Sequence, residues 1–252
     1  MSIKEGRVSI VTGAGQGIGA CIAKTLAKEN AWVAVCDVNE ANAKAVAAEI
    51  EAEGGKAMAV AANVASKAEC ERLVAAVVAQ WGTVDILVNN AAVMSKANFT
   101  EMTEEQWDTV LNTNLKGPFL LTQAVAGIMI GKNYGRVINI TDSMFRGDLG
   151  QANYAASKAG LIALTKTCAL ELGKCGVTAN SVCPGFIDPP MAEVSLEQIA
   201  ARAEKFVPCK KPGKPADVAA AVCFFAAEET AYVTGQTMSV DGGMQNGFKG
   251  LQ

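Results

Sequence analysis

The run Thr12-Gly13-Ala14-Gly15-Gln16-Gly17-Ile18-Gly19 decides the fold of this 252-residue chain. It follows Arg7 to Val11, a β-branched run that predicts a strand, and it opens Gly17 to Glu29, an Ala-rich stretch that predicts a helix. Glycines allow a tight bend, and they let backbone N–H groups approach a phosphate at the start of a helix. Between a strand and a helix, the run predicts a dinucleotide-binding turn.

Strand and helix patterns alternate along the rest of the chain. Further strands are predicted at Ala31–Cys36, Lys56–Ala62, Val84–Val88, Arg136–Ile140, Val177–Val182 and Thr237–Val240. Further helices are predicted at Glu40–Glu53, Lys67–Gln80, Thr103–Asn112, Gly117–Ile130, Tyr154–Leu172, Leu196–Glu204 and Asp217–Ala227. This alternation implies right-handed crossovers and a parallel sheet covered by helices on both faces. We therefore expect an α/β, doubly wound, three-layer αβα fold, with one domain over residues 1–252.

Prolines interrupt the alternation between Pro184 and Pro215. An irregular segment at the carboxyl ends of parallel strands often borders the ligand cleft, so residues 184–215 are predicted to be a substrate lid. An ordinary surface loop is the alternative. The apolar residues expected to line the cleft, or else to belong to the core, are Phe186, Met191, Val194, Leu196, Met94, Met144 and Phe145.

The composition excludes several classes of protein. The chain has no histidine, which removes the commonest general base and the commonest metal ligand. A Ser-His-Asp hydrolase and a His-ligated zinc dehydrogenase are therefore excluded, and no metal site is expected. The net charge of -3, with no Lys/Arg block, argues against a nucleic-acid partner.

The sequence also indicates where the protein works. Its 8 cysteines form no C-x-x-C pair, which is typical of small buried side chains in a reducing compartment. Met1 to Gly6 is too short and polar for a signal peptide. The most apolar later stretch, Phe119 to Ile130, is too short to span a bilayer, which needs roughly 20 apolar residues. We expect a cytoplasmic protein without a membrane partner.

Asp37 indicates which dinucleotide the turn would hold. It ends the second predicted strand about 20 residues past the glycines, where a carboxylate can accept both ribose hydroxyls of NAD and repel a 2′-phosphate. The alternative is a turn or N-cap residue before the Glu40 helix. Since no Arg or Lys lies near position 37 in the sequence, NAD is predicted in preference to NADP.

Tyr154 and Lys158 can supply proton transfer. At i and i+4 they share one face of a helix. A phenol has a pKa of about 10, but a nearby ammonium and an oxidised nicotinamide favour its phenolate. Tyr154 could then remove a hydroxyl proton as hydride leaves for the nicotinamide. A solvated surface pair is the alternative.

These motifs, together with Asn89-Asn90-Ala91-Ala92, Asn114 and Pro184-Gly185, resemble those of the compact short-chain dehydrogenase/reductases in order and spacing. The resemblance covers essentially the whole chain. Gln151 to Tyr154 is similar to a run in the 3-oxoacyl-carrier-protein reductase-like members. The resemblance implies a Rossmann fold and a homotetramer assembled through the helices Gly117–Ile130 and Tyr154–Leu172.

The resemblance also implies roles for particular residues. The cofactor-binding positions would be Gly13, Gln16, Gly17, Ile18, Gly19, Asp37, Asn63, Val64, Asn90, Tyr154, Lys158, Pro184, Gly185 and Ile187. Lys158 would also bind the nicotinamide ribose, and Asn114 would help to hold a water relay to it. Ile187 would meet the nicotinamide amide through its main chain.

One position departs from the family pattern. The family has a Ser after the fifth strand that orients the substrate oxygen. Counting from Asn139 places Asp142 there, whereas counting back from Tyr154 places Thr141 there, and Ser143 is adjacent. An ionised carboxylate cannot donate to a carbonyl and would oppose phenolate formation. Ser143 is therefore the preferred candidate, and Thr141 is next.

Asp142 then needs its own explanation. It either pairs with Arg146 at the rim of the site or receives a cationic substrate. Smaller departures are Asn63 for a frequent Asp, Ala92 for a usual Gly, and Pro189 for a Thr that often contacts the cofactor. The Pro189 change predicts weaker cofactor binding or lid closure.

The sequence as a whole predicts an NAD-dependent oxidoreductase that interconverts a secondary alcohol and a ketone of a small molecule. Tyr154 would be the proton acceptor and donor. A lipid-like, cyclic, steroid or acyl-thioester substrate would suit an apolar cleft, and a small sugar alcohol also remains open. Two alternatives remain: a 3-oxoacyl-thioester reductase, and a catalytically silent NAD-binding protein.

Overall fold

A computed structural model describes residues 2–188 and 195–246 of the chain. Seven strands of the described part form one sheet in the order β3-β2-β1-β4-β5-β6-β7, and every pairing is parallel. The strands are β1 Val8–Thr12, β2 Trp32–Asp37, β3 Lys56–Ala61, β4 Ile86–Asn89, β5 Gly135–Ile140, β6 Val177–Pro184 and β7 Thr237–Val240. The predicted parallel sheet is confirmed.

Helices connect successive strands. They are α1 Gly17–Lys28, α2 Glu40–Ala52, α3 Lys67–Trp81, α4 Glu104–Leu111, α5 Gly117–Lys132, α6 Ala152–Leu172, α7 Leu196–Phe206 and α8 Pro215–Ala226. Strand and helix ends differ from the predicted ones by at most two residues. One feature was not predicted: a π-helix, Asn112–Lys116, joins α4 to α5 without a break.

The side chains of β2 show why the sheet is covered on both faces. Val33 and Val35 pack in one core with α1, α2 and α8, whereas Ala34 and Cys36 pack in the other with α3, α5 and α6. Successive side chains of a strand point to opposite faces, so a strand buried on both faces needs a continuous apolar run. The three-layer αβα architecture is therefore confirmed.

The order of the strands places a crevice at one edge of the sheet. The chain runs from β1 outward to β3 and then crosses back to place β4 beside β1. The connections after β1 and β4 therefore leave in opposite directions, and ligands of doubly wound sheets bind where this happens, at the carboxyl ends of the strands.

The segment 184–215 begins at this edge. Its base is closed by backbone hydrogen bonds from Gly213 N to Phe186 O and from Asp188 N to Gly213 O, both 2.9 Å. Leu196, in α7, is exposed. Pro189, Met191 and Val194, to which roles were assigned from the sequence, lie outside the described residues.

Four other residues of the expected lining can be placed. Phe186, Met94, Met144 and Phe145 are half-buried, and none belongs to either core. Their placement favours a cleft lining over the core alternative. Within residues 2–188 and 195–246, no helix combines the length and apolar character needed to cross a bilayer.

Candidate active site

The glycine turn is packed against the backbone that follows β4. Gly13 has a φ of +61°, and a Cβ built on it would lie 2.8 Å from Ala91 Cα. A Cβ on Gly19 would lie 2.2 Å from the Gly13 carbonyl oxygen. The Asn90 amide fixes the turn by donating to the carbonyl oxygens of Thr12, at 2.9 Å, and Gly13, at 3.1 Å. No larger residue fits at Gly13 or Gly19 without moving the backbone.

The turn presents the start of α1 to solvent. Gly17 has a φ of +56° and nothing within 4 Å of its Cβ position, and Gln16 before it is exposed and makes no side-chain cap. The first N–H groups of a helix have no partner within the helix and attract anions. Gly17, Ile18 and Gly19 therefore form a cradle that fits the pyrophosphate of a dinucleotide.

Asp37 lies beside this cradle at the end of β2. Its Oδ2 accepts the Gly15 N–H at 2.9 Å, and its Oδ1 accepts the Asn39 N–H at 3.0 Å. A Cβ on Gly15 would approach the Asp37 carboxyl group to 2.9 Å. The turn role given as the alternative is thus present, and it holds the carboxylate where an adenosine ribose would reach it.

Sequence reasoning missed a lysine near Asp37. A shallow surface pocket beyond the end of β2 is lined by Val38, Asn39, Glu40, Ala41 and Lys44. Lys44 forms an ion pair with Glu40 at 2.7 Å. The i,i+4 spacing of this pair was the available signal. Lys44 is therefore a cation in the pocket that borders the end of β2.

The other predicted cofactor residues lie at the same edge of the sheet. Asn63 and Val64 follow β3, and Asn63 Oδ1 accepts the Ala65 N–H at 3.0 Å. Pro184 ends β6, and Gly185 donates to Val240 O at 3.0 Å. Ile187 is buried and bridges to Gly213.

Tyr154 and Lys158 lie one turn apart on α6, and each is 2% exposed. The Lys158 Nζ lies 5.5 Å from the centre of the Tyr154 ring and donates to the Ile140 carbonyl oxygen at 2.9 Å. The solvated surface pair is therefore excluded. Ile140 ends β5, so both side chains lie at the carboxyl edge of the sheet.

Burial changes how these two groups titrate. It lowers the pKa of Lys158 to about 8. Loss of solvation, followed by the Asp142 charge, raises the pKa of Tyr154 well above its usual value. Lys158 does not lower the pKa of Tyr154 in this arrangement, because loss of solvation has the largest influence and Asp142, while it is ionised, adds to it. Tyr154 rests as a protonated phenol.

The carboxylate beside Tyr154 is Asp142. The Tyr154 hydroxyl donates to Asp142 Oδ2 at 3.1 Å. Asp142 Oδ1 accepts the Met144 N–H at 2.9 Å, which caps the 3₁₀-helix Ser143–Arg146, and the Ser143 hydroxyl at 3.4 Å. Loss of solvation raises the pKa of Asp142.

The two hydroxyls preferred from the sequence have other partners. Thr141 is 2% exposed and donates to the Val182 carbonyl oxygen at 3.0 Å. Ser143 is held by Asp142. The structure brings Asp142 to the Tyr154 hydroxyl, because the extended backbone at Asp142 places its carboxyl group between the 3₁₀-helix and α6. The choice of Ser143 and then Thr141 as the residue that orients the substrate stays a prediction.

The structure also gives Asp142 and Arg146 separate partners. Arg146 donates to the Gln245 carbonyl oxygen at 2.9 Å and lies over the Phe145 ring. Asp142 instead contacts Tyr154, Ser143 and Met144. The hypothesis of an Asp142–Arg146 pair is therefore wrong.

Asn114 is positioned by the π-helix. Its Oδ1 accepts the Val93 N–H at 2.8 Å, and its Nδ2 donates to Val93 O at 2.9 Å and to Ser157 Oγ at 3.3 Å. The Ser157 hydroxyl donates to the Tyr154 carbonyl oxygen at 2.7 Å. Asn114 thus ties the connection after β4 to α6. Its water relay to Lys158 stays a prediction.

A buried polar chain beneath the site was also missed. Asn89 Nδ2 donates to Asn139 Oδ1, and Asn139 Nδ2 donates to Thr165 Oγ1, both at 2.8 Å. The chain links β4, β5 and α6. The signal was a polar side chain at the same level of two neighbouring strands. Among the described residues, no cluster of three or more His, Cys, Asp or Glu side chains is arranged to hold a metal.

Comparison with known proteins gives consistent matches. The family model described as Enoyl-(Acyl carrier protein) reductase matches residues 13–245. The 3-oxoacyl-acyl-carrier-protein reductase FabG of Thermotoga maritima is 40% identical over 241 residues, covering 95% of this chain and 98% of that protein. The 3-oxoacyl-acyl-carrier-protein reductase of Synechocystis is 43% identical over 248 residues, covering 97% and 99%.

Two solved structures share the fold closely. A protein of Sinorhizobium meliloti, described as a short-chain alcohol dehydrogenase, superposes with a TM-score of 0.92 at 32% identity, covering 97% of this chain and 98% of that one. A protein of Agrobacterium tumefaciens, described as a gluconate dehydrogenase, superposes with the same TM-score of 0.92 at 31% identity and the same coverage of 97% and 98%.

Proposed function

Because this chain belongs to the short-chain dehydrogenase/reductase family, oxidoreductases that act on CH–OH groups, we propose that it uses NAD to interconvert a secondary alcohol and a ketone of a small molecule. Tyr154 exchanges the proton with the substrate oxygen. The observation that carries this proposal is the buried Tyr154–Lys158 pair at the same sheet edge as the glycine cradle.

The spacing of the strands allows one extended cofactor to reach both the glycine cradle and the Tyr154–Lys158 pair. The cradle follows β1 and Asp142 follows β5, with β4 between them. Neighbouring strands are about 4.8 Å apart, so the two parts lie roughly 10 Å from each other along the edge. The pyrophosphate would lie on Gly17, Ile18 and Gly19, and the nicotinamide end would lie toward Lys158.

Bound nicotinamide supplies the group that gives or accepts hydride. Tyr154 gives its proton to the substrate oxygen in ketone reduction and takes it back in alcohol oxidation. The Lys158 ammonium, whose pKa is near 8, stabilises the phenolate that reduction leaves behind. Since the pKa of Tyr154 is raised, the resting enzyme starts with the proton in place, which suits reduction.

The choice of NAD is part of the proposal and rests on Asp37. Its carboxylate is held by two backbone N–H groups, so it stays beside the expected ribose position. A 2′-phosphate would meet that negative charge. Lys44 lines the neighbouring pocket, but Glu40 already pairs with it.

A spectrophotometric screen tests this proposal. Purified protein is assayed with NADH and NADPH against a panel of ketones, and with NAD and NADP against the matching alcohols. We expect turnover with NADH on a ketone, with NADH preferred over NADPH. Binding of NADH without turnover of any substrate would instead support the silent NAD-binding alternative, and a strong NADPH preference would refute the role of Asp37.

Reduction of a 3-oxoacyl thioester is the second candidate. Its support is the pair of relatives named as 3-oxoacyl-acyl-carrier-protein reductases at 40% and 43% identity. Comparing kcat/KM for acetoacetyl-coenzyme A with that for a simple cyclic ketone separates the two candidates. A preference of at least about tenfold for the thioester would make it the principal substrate class.

The proposal includes a homotetramer assembled through α5 and α6. Phe119 and Ile130 on α5 and Leu170 on α6 are large apolar residues exposed to solvent in the monomer. Ala159 and Ala163 are exposed small residues on α6 that allow close packing. We expect Phe119→Glu to lower the mass measured by analytical ultracentrifugation. Phe206→Glu, on exposed α7, is the matched control and should leave the mass unchanged.

The substrate lid and the cellular location complete the proposal. Residues 184–215 would close over the cleft, supported by the half-buried Phe186 and the exposed amphipathic helix α7. A cytoplasmic location is supported by eight cysteines that are all free thiols.

A further inference from the structure

The two carboxylate oxygens of Asp142 have different surroundings. Oδ1 is engaged by two donors, the Met144 N–H at 2.9 Å and the Ser143 hydroxyl at 3.4 Å. Among the residues that the structure describes, Oδ2 forms a hydrogen bond only with the Tyr154 hydroxyl, at 3.1 Å. A proton on the carboxyl group would therefore sit on Oδ2, the oxygen that lies beside the reacting hydroxyl.

Asp142 is more accessible to a substrate than its buried neighbours. Asp142 and Ser143 are half-buried, whereas Thr141 and Tyr154 are each 2% exposed. The Thr141 hydroxyl is occupied by Val182 O, and the Ser143 hydroxyl by Asp142 itself. A substrate oxygen that approaches Tyr154 thus finds the Asp142 carboxyl group as the second polar group within reach.

The charged and titratable groups that face Asp142 come from two elements. Tyr154 and Lys158 face it from α6, and Cys183 faces it from β6. Arg146, on the 3₁₀-helix, is directed to Gln245. Among the described residues no Lys or Arg forms an ion pair with Asp142. Loss of solvation has the largest influence and raises the pKa of the Asp142 carboxyl group, which favours its neutral form, while the Met144 N–H and the Lys158 charge act in the opposite direction.

We propose that Asp142, as a neutral carboxylic acid, donates the hydrogen bond that holds the substrate oxygen against Tyr154. It thereby performs the task that the family gives to a serine hydroxyl. This inference rests on the proposed function and names the residue that orients the substrate. A carboxylic acid is a stronger hydrogen-bond donor than an alcohol, so it can replace that hydroxyl without moving the backbone.

The proton balance of ketone reduction follows from this arrangement. Hydride from the reduced nicotinamide adds to the carbonyl carbon, and the π electrons of the C=O bond move to oxygen. The oxygen forms its O–H bond with the Tyr154 proton, and the phenolate is reprotonated from solvent. Asp142 keeps its own proton throughout. The nicotinamide is oxidised, and the ketone is reduced.

Ionised Asp142 would act against this step. It cannot donate to the substrate oxygen, and its negative charge opposes both the developing alkoxide and the Tyr154 phenolate. The rate of reduction should therefore fall as the pH rises through the ionisation of Asp142. If Asp142 only capped the 3₁₀-helix, its ionisation would not change the rate in this way, because the neutral side chains of Asn and Ser cap as well as a carboxylate does.

The first test compares pH profiles of kcat/KM for ketone reduction in wild type, Asp142→Asn, Asp142→Ser and Asp142→Ala. Wild type should lose about tenfold per pH unit above the ionisation, as one titrating proton requires. The Asn and Ser variants, which still carry a hydrogen-bond donor, should be more active than the Ala variant and should lose that decline. The Ala variant should be about 10- to 100-fold slower at low pH, since the donor is gone. Asp148→Asn is the control, an exposed carboxylate six residues further along.

The second test measures the proton directly and needs no turnover. Infrared difference spectra between wild type and Asp142→Asn at neutral pH should show the C=O stretch of a carboxylic acid, and that band should shift when cyclohexanone is added. This separates the two proposals. Absent turnover with a shifting acid band would refute the redox proposal and support the Asp142 donor.

Three outcomes would overturn the inference. One is a carboxylate band instead of an acid band, or an acid band that cyclohexanone does not move. Another is a pH profile that is the same in wild type and Asp142→Asn. The third is a strong wild-type preference for an amino ketone that Asp142→Asn abolishes, because Asp142 would then be an ionised receptor for a cationic substrate.

Discussion

The glycine cradle and the Asp142–Tyr154 pair lie at the same edge of the sheet, but they differ in the kind of atoms that form them. The cradle is made of backbone: Gly13 and Gly19 are packed so tightly that a methyl group would collide. The proton-transfer pair is made of side chains whose charge depends on burial and on each other. The first region is therefore rigid and insensitive to pH, whereas the second can change its state.

Replacing Tyr154 by Phe should have the largest effect on this comparison. It removes the only group proposed to exchange a proton with the substrate oxygen, so kcat should fall about 10²- to 10⁴-fold. Because Tyr154 does not belong to the cradle, the Kd for NADH, measured by fluorescence titration, should stay within about twofold of the wild-type value. Unchanged turnover would end the assignment of Tyr154, and lost cofactor binding would show that the two regions are not separate.

Replacing Asp37 by Ser tests the side chain proposed to bind the ribose beside the cradle. The variant loses charge-assisted hydrogen bonds to the ribose and the repulsion of a 2′-phosphate. The ratio of kcat/KM for NADPH to that for NADH should rise about 10- to 100-fold. Glu53→Gln, at the far end of α2, removes the same charge and should leave the ratio unchanged. A ratio that responds equally to both variants would point to net charge instead of a ribose contact.

Replacing Gly19 by Ala tests how rigid the backbone part is. The new Cβ would lie 2.2 Å from the Gly13 carbonyl oxygen, so the turn must shift. The free energy of unfolding in urea should fall by about 1–3 kcal/mol, with weaker NADH binding. Gly131→Ala, in α5 with nothing within 4 Å of its Cβ, is the matched control and should cost nothing. Equal stability of both variants would mean that the turn yields easily.

The smallest predicted effect is a change in the pH dependence of stability when Lys158 is replaced. It tests whether the proton-transfer region responds to pH while the cradle does not. The pKa of Lys158 is about 8 in the folded protein, against an ordinary value of 10.5. Between these values the unfolded chain binds more protons, so the free energy of unfolding gains a positive slope with pH in that interval. Lys158→Met should lose this slope in urea melts at pH 8 to 10.5, whereas Lys166→Met, exposed on the same helix, should keep it.

The same contrast explains how far the sequence could be read. Backbone requirements can be read directly from the sequence, since a position that tolerates only glycine must be glycine, and the cradle was predicted on that basis. The strands and helices were predicted from their apolar patterns, which also do not depend on the exact placement of any one side chain. Asp37 was also predicted, because its distance from the glycines follows from one strand and one helix.

The contacts among the proton-transfer side chains could not be predicted in the same way. Whether Thr141, Asp142 or Ser143 meets Tyr154 depends on the local path of a short 3₁₀-helix, which counting along the chain cannot settle. The direction of the Tyr154 pKa depended on the competition between burial, a carboxylate and an ammonium. Lys44 was missed although it is close in sequence, because its place in the pocket beyond β2 depends on the first turns of α2.

The π-helix Asn112–Lys116 has a consequence for how the chain tolerates insertions and deletions. An α-helix advances about 100° per residue, so the extra residue of a wide turn sets the rotational phase of everything that follows it. Deleting one residue of the π-helix would let α4 and α5 form one regular α-helix. It would also rotate Leu121 and Val125 by about 100° around the helix axis, away from the core. The π-helix therefore fixes the rotation of α5 relative to α4. Length changes in homologues should avoid it and accumulate in the loops before α4 and after α5.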